Sequence, residues 1–112
     1  NGLRNHIADV QGKGGTIHAL GASTKLAGFL QMAGVDKNGI AAASDRDPRK
    51  VGRRMAGTGI PIISEEESRA SKPTSYVSVL NMFAKEIVAR ERAAGTTAEI
   101  KFLLPSIHEV GE

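Results

Sequence analysis

Thr16–Ala33, TIHALGASTKLAGFLQMA, decides how the rest of the chain is read. Thr16 to Leu20 is a short run of β-branched and apolar side chains, the composition of a strand buried on both faces. Gly21, Ala22 and Ser23 are small, and Leu26, Phe29, Leu30 and Ala33 then recur at helical spacing. The stretch therefore predicts a strand, a tight turn and a helix. Helix-start N–H groups lack intrahelical partners, so such a turn can seat an anion, most often a phosphate, with Ser23 as N-cap and Lys25 as a mobile cation. The competing reading is that any strand-to-helix turn in an α/β protein needs small residues.

On either side the pattern repeats. Leu3, Ile7 and Val10 predict a short helix stopped by Gly12, Gly14 and Gly15, read here as the end of a connecting helix over residues 1–13. Ile40 to Ser44 reads as a second strand, parallel to the first because a helix lies between them. Asp45 to Gly59 is a long irregular loop carrying Arg46, Arg49, Lys50, Arg53 and Arg54 against Asp45 and Asp47. It is either a solvated or partner-facing loop or one that meets an anion, since cations so close together repel unless compensated. Ile60 to Ile63 returns as an extended segment, with Pro61 pointing to an edge or a strand start. Ser64 before Glu65, Glu66 and Glu67 is an N-cap followed by acids in the first helical turn, and this helix ends before Pro73. Ser75 to Leu80 reads as a strand, Phe83, Ile87 and Val88 as a helix face running to Gly95, and Glu99 to Leu104 as the last strand before Pro105. The alternation defines a doubly wound, mostly parallel α/β sheet of Rossmann-like type, one domain over residues 14–112.

Composition narrows the function. The 112 residues are 40% hydrophobic and 24% charged, which suits a single globular core. A net charge of +3 and 4% aromatics argue against a dedicated nucleic-acid binder. Zero cysteines exclude disulfides and thiolate metal sites within this chain, and no apolar run approaches the length of a membrane span. The simplest expected location is the cytoplasm. A start at Asn1-Gly2 without methionine has the look of a piece of a longer polypeptide.

In an open parallel sheet, ligands bind beyond the carboxyl ends of the strands. Gly21–Lys25, Asp45–Arg54, the turn after Leu80 and the segment after Leu104 are expected to meet there. The dinucleotide fingerprint is absent, with one glycine where three are needed. Asp45 nonetheless falls where a ribose-binding acid would, with Arg46 beside it for a 2′-phosphate; the alternative is a loop cap with a solvated charge. His18 reads as a hydrogen-bonded core histidine. No metal-ligand spacing, nucleophile elbow or cysteine–histidine pair is present.

Four motifs together, GASTKLAGFL, SDRDPRKVGRRMAGTGIPI, SVLNMFAKEI and FLLPSIHEV, resemble the C-terminal domain of the S-adenosylmethionine-dependent C-methyltransferases that act on nucleotide-linked deoxysugars. The resemblance runs from Gly14 to Val110, and Asp45, Pro48, Lys50, Gly52, Gly57, Thr58, Ile60, Pro61 and Ile62 fall in register with the family's central loop. It implies a Rossmann-like domain on the substrate side of the cleft, inactive alone, that packs on an upstream methyltransferase domain. That upstream domain would bind the methyl donor, and a cysteine-bearing zinc segment would lie further upstream. By the same resemblance the phosphates of a nucleotide-sugar (NDP-hexose) sit at Gly21, Ala22, Ser23 and Lys25, and Asp45, Arg46 and Lys50 line the cleft mouth. The implied reaction is deprotonation next to a carbonyl and methyl transfer to carbon, with no catalytic residue assignable in this chain. Leu80-Asn81-Met82 departs from the family's proline–tryptophan pattern, altering one wall of the cleft. The reading of a different class is a stand-alone nucleotide-binding or interaction module with Asp45 on a ribose.

Overall fold

In the computed structural model, residues 2–79, 84–103 and 108–109 are described. The elements run α1 (Gly2–Gly12), β1 (Ile17–Leu20), α2 (Thr24–Ala33), β2 (Ala42–Asp45), β3 (Ile62–Ser64), α3 (Glu65–Ser71), β4 (Ser75–Ser78), α4 (Ala84–Ala93), β5 (Glu99–Phe102) and β6 (His108–Glu109). The strands form one sheet in the order β3-β2-β1-β4-β5-β6. β1 to β5 are parallel and β6 is antiparallel to β5, an addition that the sequence reading did not contain. The order reverses between β1 and β4, so the sheet is doubly wound as expected.

Period-two alternation along the strands divides the core. Ile17 and Ala19 of β1, Ala43 of β2 and Val77 of β4 face α1 and α2, packing with Leu3, Ile7, Val10, Leu26 and Leu30. Leu20, Tyr76, Ile100 and Phe102 point the other way, against Ala84, Ile87 and Val88 of α4. The N-terminal helix thus contributes three side chains to the domain's own core.

Helix ends follow their chemistry. Ser23 caps α2 by accepting from the Leu26 N–H at 3.1 Å, and Gly34 closes it at φ 71°. Ser64 caps α3 by accepting from the Glu67 N–H at 3.1 Å. α3 buries one residue, Ser68, so polar contacts rather than an apolar stripe hold it down. The Ser68 hydroxyl lies 2.7 Å from His18 Nδ1 and 2.8 Å from the Tyr76 hydroxyl, while Arg69 grips Glu91 of α4 at 2.8 Å.

Between β2 and β3 the chain runs through the predicted loop instead of a helix. It folds back on itself: the Gly52 N–H donates to Ile62 O, the Ile62 N–H to Arg53 O and the Met55 N–H to Ile60 O. Met55 and Ile60 enter the core, so the loop occupies the place of a crossover helix on the α1–α2 face. β3 lies at the sheet edge directly after Pro61, as the proline suggested. Of the ends predicted for the fourth and fifth strands, Val79 and Leu103 are buried irregular chain, whereas Leu80 and Leu104, with the Leu80-Asn81-Met82 departure, Phe83 and Pro105, lie outside the described residues.

Candidate functional site

A cavity of about 390 Å³ opens over the carboxyl edge of the sheet. Its walls are Leu20 and Gly21 from the end of β1, Ser44, Asp45 and Arg46 from the end of β2, Glu65 from the start of α3, and Glu86, Ile87 and Arg90 from α4. Leu20 and Ile87 also belong to the α4-side core, so the apolar wall is continuous with it. The site exists because β1 and β2 end together while α3 and α4 begin on the same side.

Asp45 organises the edge. Its Oδ2 accepts the Ala22 N–H at 2.9 Å and its Oδ1 the Asp47 N–H at 2.9 Å, while Lys50 Nζ stands 3.7 Å from Oδ2. Burial alone pushes the Asp45 carboxyl up, but the two amides and the Lys50 charge outweigh it and hold the group below its ordinary value. Lys50 also reaches Ala22 O at 3.5 Å. Gly21, at φ 87°, sends its N–H to Ser44 O at 2.8 Å, so the turn continues the β1–β2 ladder before it opens into α2. The glycine turn and the arginine loop are therefore joined directly, through Asp45 acting as a cap on both.

Two arginines share one carboxylate at the rim. Arg46 Nε lies 3.7 Å from Glu65 Oε1 and Arg90 Nη2 lies 3.4 Å from Glu65 Oε2. Arg90 Nε is buried without a hydrogen-bond partner, its nearest charge being Glu91 at 4.0 Å. Of the predicted residues, Gly21, Asp45 and Arg46 line the cavity; Ala22 and Lys50 contact Asp45 without lining it, Ser23 caps α2, and Lys25 is exposed on α2. Elsewhere in the loop, Arg49 pairs with Asp47 at 3.1 Å and Arg54 donates to Gly59 O at 2.7 Å, which absorbs part of the clustered charge.

Glu65, Glu86, Ile87 and Arg90 line the cavity without a local sequence signal for that role. Glu65 reads in sequence as a helix start, and α4 reads as an ordinary half-charged helix. Only the sheet order, which brings α4 beside the end of β1, reveals them. His18 sits beneath, buried, its pKa lowered by burial, as a core histidine should be. Among the described residues no group of His, Cys, Asp and Glu is arranged to hold a metal, and no helix is long and apolar enough to cross a membrane.

A parallel sheet wound in both directions from β1 and β4, with a cleft over its carboxyl edge, defines a Rossmann-like α/β domain. The C-methyltransferase C-terminal domain family matches residues 1–105, and the chain belongs to that family. It is also similar to the C-methyltransferase NovU of Streptomyces niveus, 30% identical over 90 residues, which is 80% of this chain and 21% of that protein. The chain thus spans about a fifth of the length of this curated relative.

Proposed function

We propose that this chain is the substrate-side domain of an S-adenosylmethionine-dependent C-methyltransferase that acts in the cytoplasm on a nucleotide-linked sugar. The observation that carries the reading is the cleft at the switch point, in a domain of this family. Its volume matches a small-molecule site. Leu20 and Ile87 offer an apolar wall to the carbon face of a sugar, Glu65 and Glu86 offer acceptors to its hydroxyls, and Arg46 and Arg90, held by one shared carboxylate, offer donors to phosphate oxygens. The phosphates would extend from Arg46 past Lys50 toward Gly21, Ala22, Ser23 and Lys25.

S-Adenosylmethionine supplies the methyl group in this reading, and its seat is assigned to another part of the polypeptide. Asp45, the acid at the end of β2, already accepts the Ala22 and Asp47 amides and stands 3.7 Å from Lys50, which disfavours it as the acceptor for a donor's ribose. That engagement argues for a donor seat on another part of the polypeptide, and it argues equally against a stand-alone module with Asp45 on a ribose. The domain's contribution to the transfer of methyl to carbon is to bind and orient the acceptor.

Thermal unfolding with a nucleoside diphosphate, a nucleotide-sugar and S-adenosylmethionine tests the reading. A ligand present at 100 times its Kd stabilises the fold by about 2.7 kcal/mol. We expect a rise in Tm with the nucleotide-sugar that Arg46→Ala reduces, and none with the donor. A rise with S-adenosylmethionine, or none with the nucleotide-sugar in either this chain or the full-length enzyme, would overturn it.

A further inference from the structure

We infer that the outward face of α2, built on Gly28 and Met32, is the surface on which the methyl-transferring part of the same enzyme packs. The inference rests on the proposed function for the identity of the partner; the surface itself is read from the helix.

Glycine inside a helix is destabilising relative to alanine, so an interior glycine needs a reason. Seven other glycines have positive φ, and at Gly15 and Gly39 a Cβ would come within 2.4 Å of Thr74 Oγ1 and 3.1 Å of Ile7 Cδ1. Gly28 has neither excuse. It sits in the middle of α2, exposed, and a Cβ there meets nothing within 4 Å. Nothing within the described domain requires it, whereas a second body approaching the helix backbone closely would.

Met32, one turn further on, is 92% exposed, far more than any other large hydrophobic side chain among the described residues. Half-buried Phe29 flanks the pair. Solvent-facing helix surfaces are ordinarily charged, yet Lys25 is the single charged residue of α2. Gln31 is turned aside, donating to Ala56 O at 3.0 Å and packed against Gly57, so the weakly polar surface extends onto the tip of the β2–β3 loop. The result is a notch at Gly28 beside a projecting methionine, a shape suited to an apolar ridge.

The length of the relative indicates what fills it. This chain corresponds to 21% of that C-methyltransferase, and its family is by description a C-terminal domain, so most of such a polypeptide is available as a partner. α2 starts at the turn of Gly21 that walls the cavity and runs back across the sheet on the α1 side.

Cysteine labelling tests this, because the chain has no cysteine of its own. Met32→Cys is made in this 112-residue chain and in the full-length enzyme, with Ala93→Cys on the exposed side of α4 as reference, and alkylation by iodoacetamide is followed by peptide mass spectrometry. We expect Met32→Cys in the full-length enzyme to react at least tenfold more slowly than in the 112-residue chain, with Ala93→Cys unchanged, and Gly28→Arg to restore the fast rate. Equal rates in the two proteins would overturn the inference. Slowing in the 112-residue chain alone that grows with its concentration would also overturn it, because the occupant would then be a second copy. Protection in an enzyme that transfers no methyl group to a nucleotide-sugar would sink the functional reading and leave the interface standing.

Discussion

Replacing Glu91 by alanine should cost this fold more than any substitution at its surface. The Glu91 side chain is 1% exposed, and its carboxylate takes Arg69 Nη2 at 2.8 Å, Arg69 Nε at 3.3 Å and the Thr96 hydroxyl at 3.2 Å. Removing one partner of a buried ion pair typically costs 3–5 kcal/mol, since the other charge stays behind unpaired. Arg69 keeps some contact with water, its side chain being 26% exposed, so the lower end of that range applies. A loss of about 3 kcal/mol corresponds to a fall in Tm of roughly 12 °C for a domain of this size. Urea denaturation followed by circular dichroism measures it, with Glu91→Gln as a variant that keeps the volume and loses the charge. The double variant Arg69→Met/Glu91→Met should recover part of the loss, because it removes both charges together. A loss below about 1 kcal/mol for Glu91→Ala, or a double variant as unstable as the sum of the singles, would show that the pair does not anchor α3 to α4.

Other expectations concern the site and the caps. Because the folded-state pKa of Asp45 is depressed, its contribution is fully present above the ordinary carboxylate range and is lost as pH falls below about 4; Asp45→Asn should flatten that part of a stability–pH curve. His18 is held neutral by burial, so the unfolded chain binds its proton first, and its share of stability declines as pH falls below about 6.5. An NMR titration in which the His18 ring protonates at or above that value would contradict its placement between Ser68 and Tyr76. Ser23→Ala should cost about 1 kcal/mol in urea titration through loss of the α2 cap. Gly28→Ala, entering open space on a helix, should stabilise this chain by about 1 kcal/mol in the same measurement.

Elements with a strong local code were legible. The short β-branched, apolar run and the helical spacing within Thr16–Ala33 located β1 and α2, Ser23 and Ser64 announced their helices, and Pro61 pointed to an edge or a strand start. Asp45 was recognisable as the acid after β2, but whether it faces a ligand or its own turn depends on the 2.9 Å approach of Ala22, which no local pattern encodes. α3 is readable only by its cap, because its buried residue is a serine recruited by His18 and Tyr76 from distant strands. The α4 wall of the cleft was illegible for a similar reason: Glu86, Ile87 and Arg90 acquire their role from strand order, and order is a property of the whole sheet. Lys25 shows the converse, being placed in sequence beside the turn and in space outside the cavity.

The fold-back between residues 52 and 62 has a consequence for how the molecule is made. An edge strand with bare amides invites another chain to extend the sheet. Here Ile62 already exchanges both backbone groups with Gly52 and Arg53, contacts at most ten residues apart in sequence. That seal can form on a nascent chain while β4 and β5 are still unsynthesised, so the half-built sheet carries protection along its β3 flank from the start. Association by strand addition is discouraged at that flank.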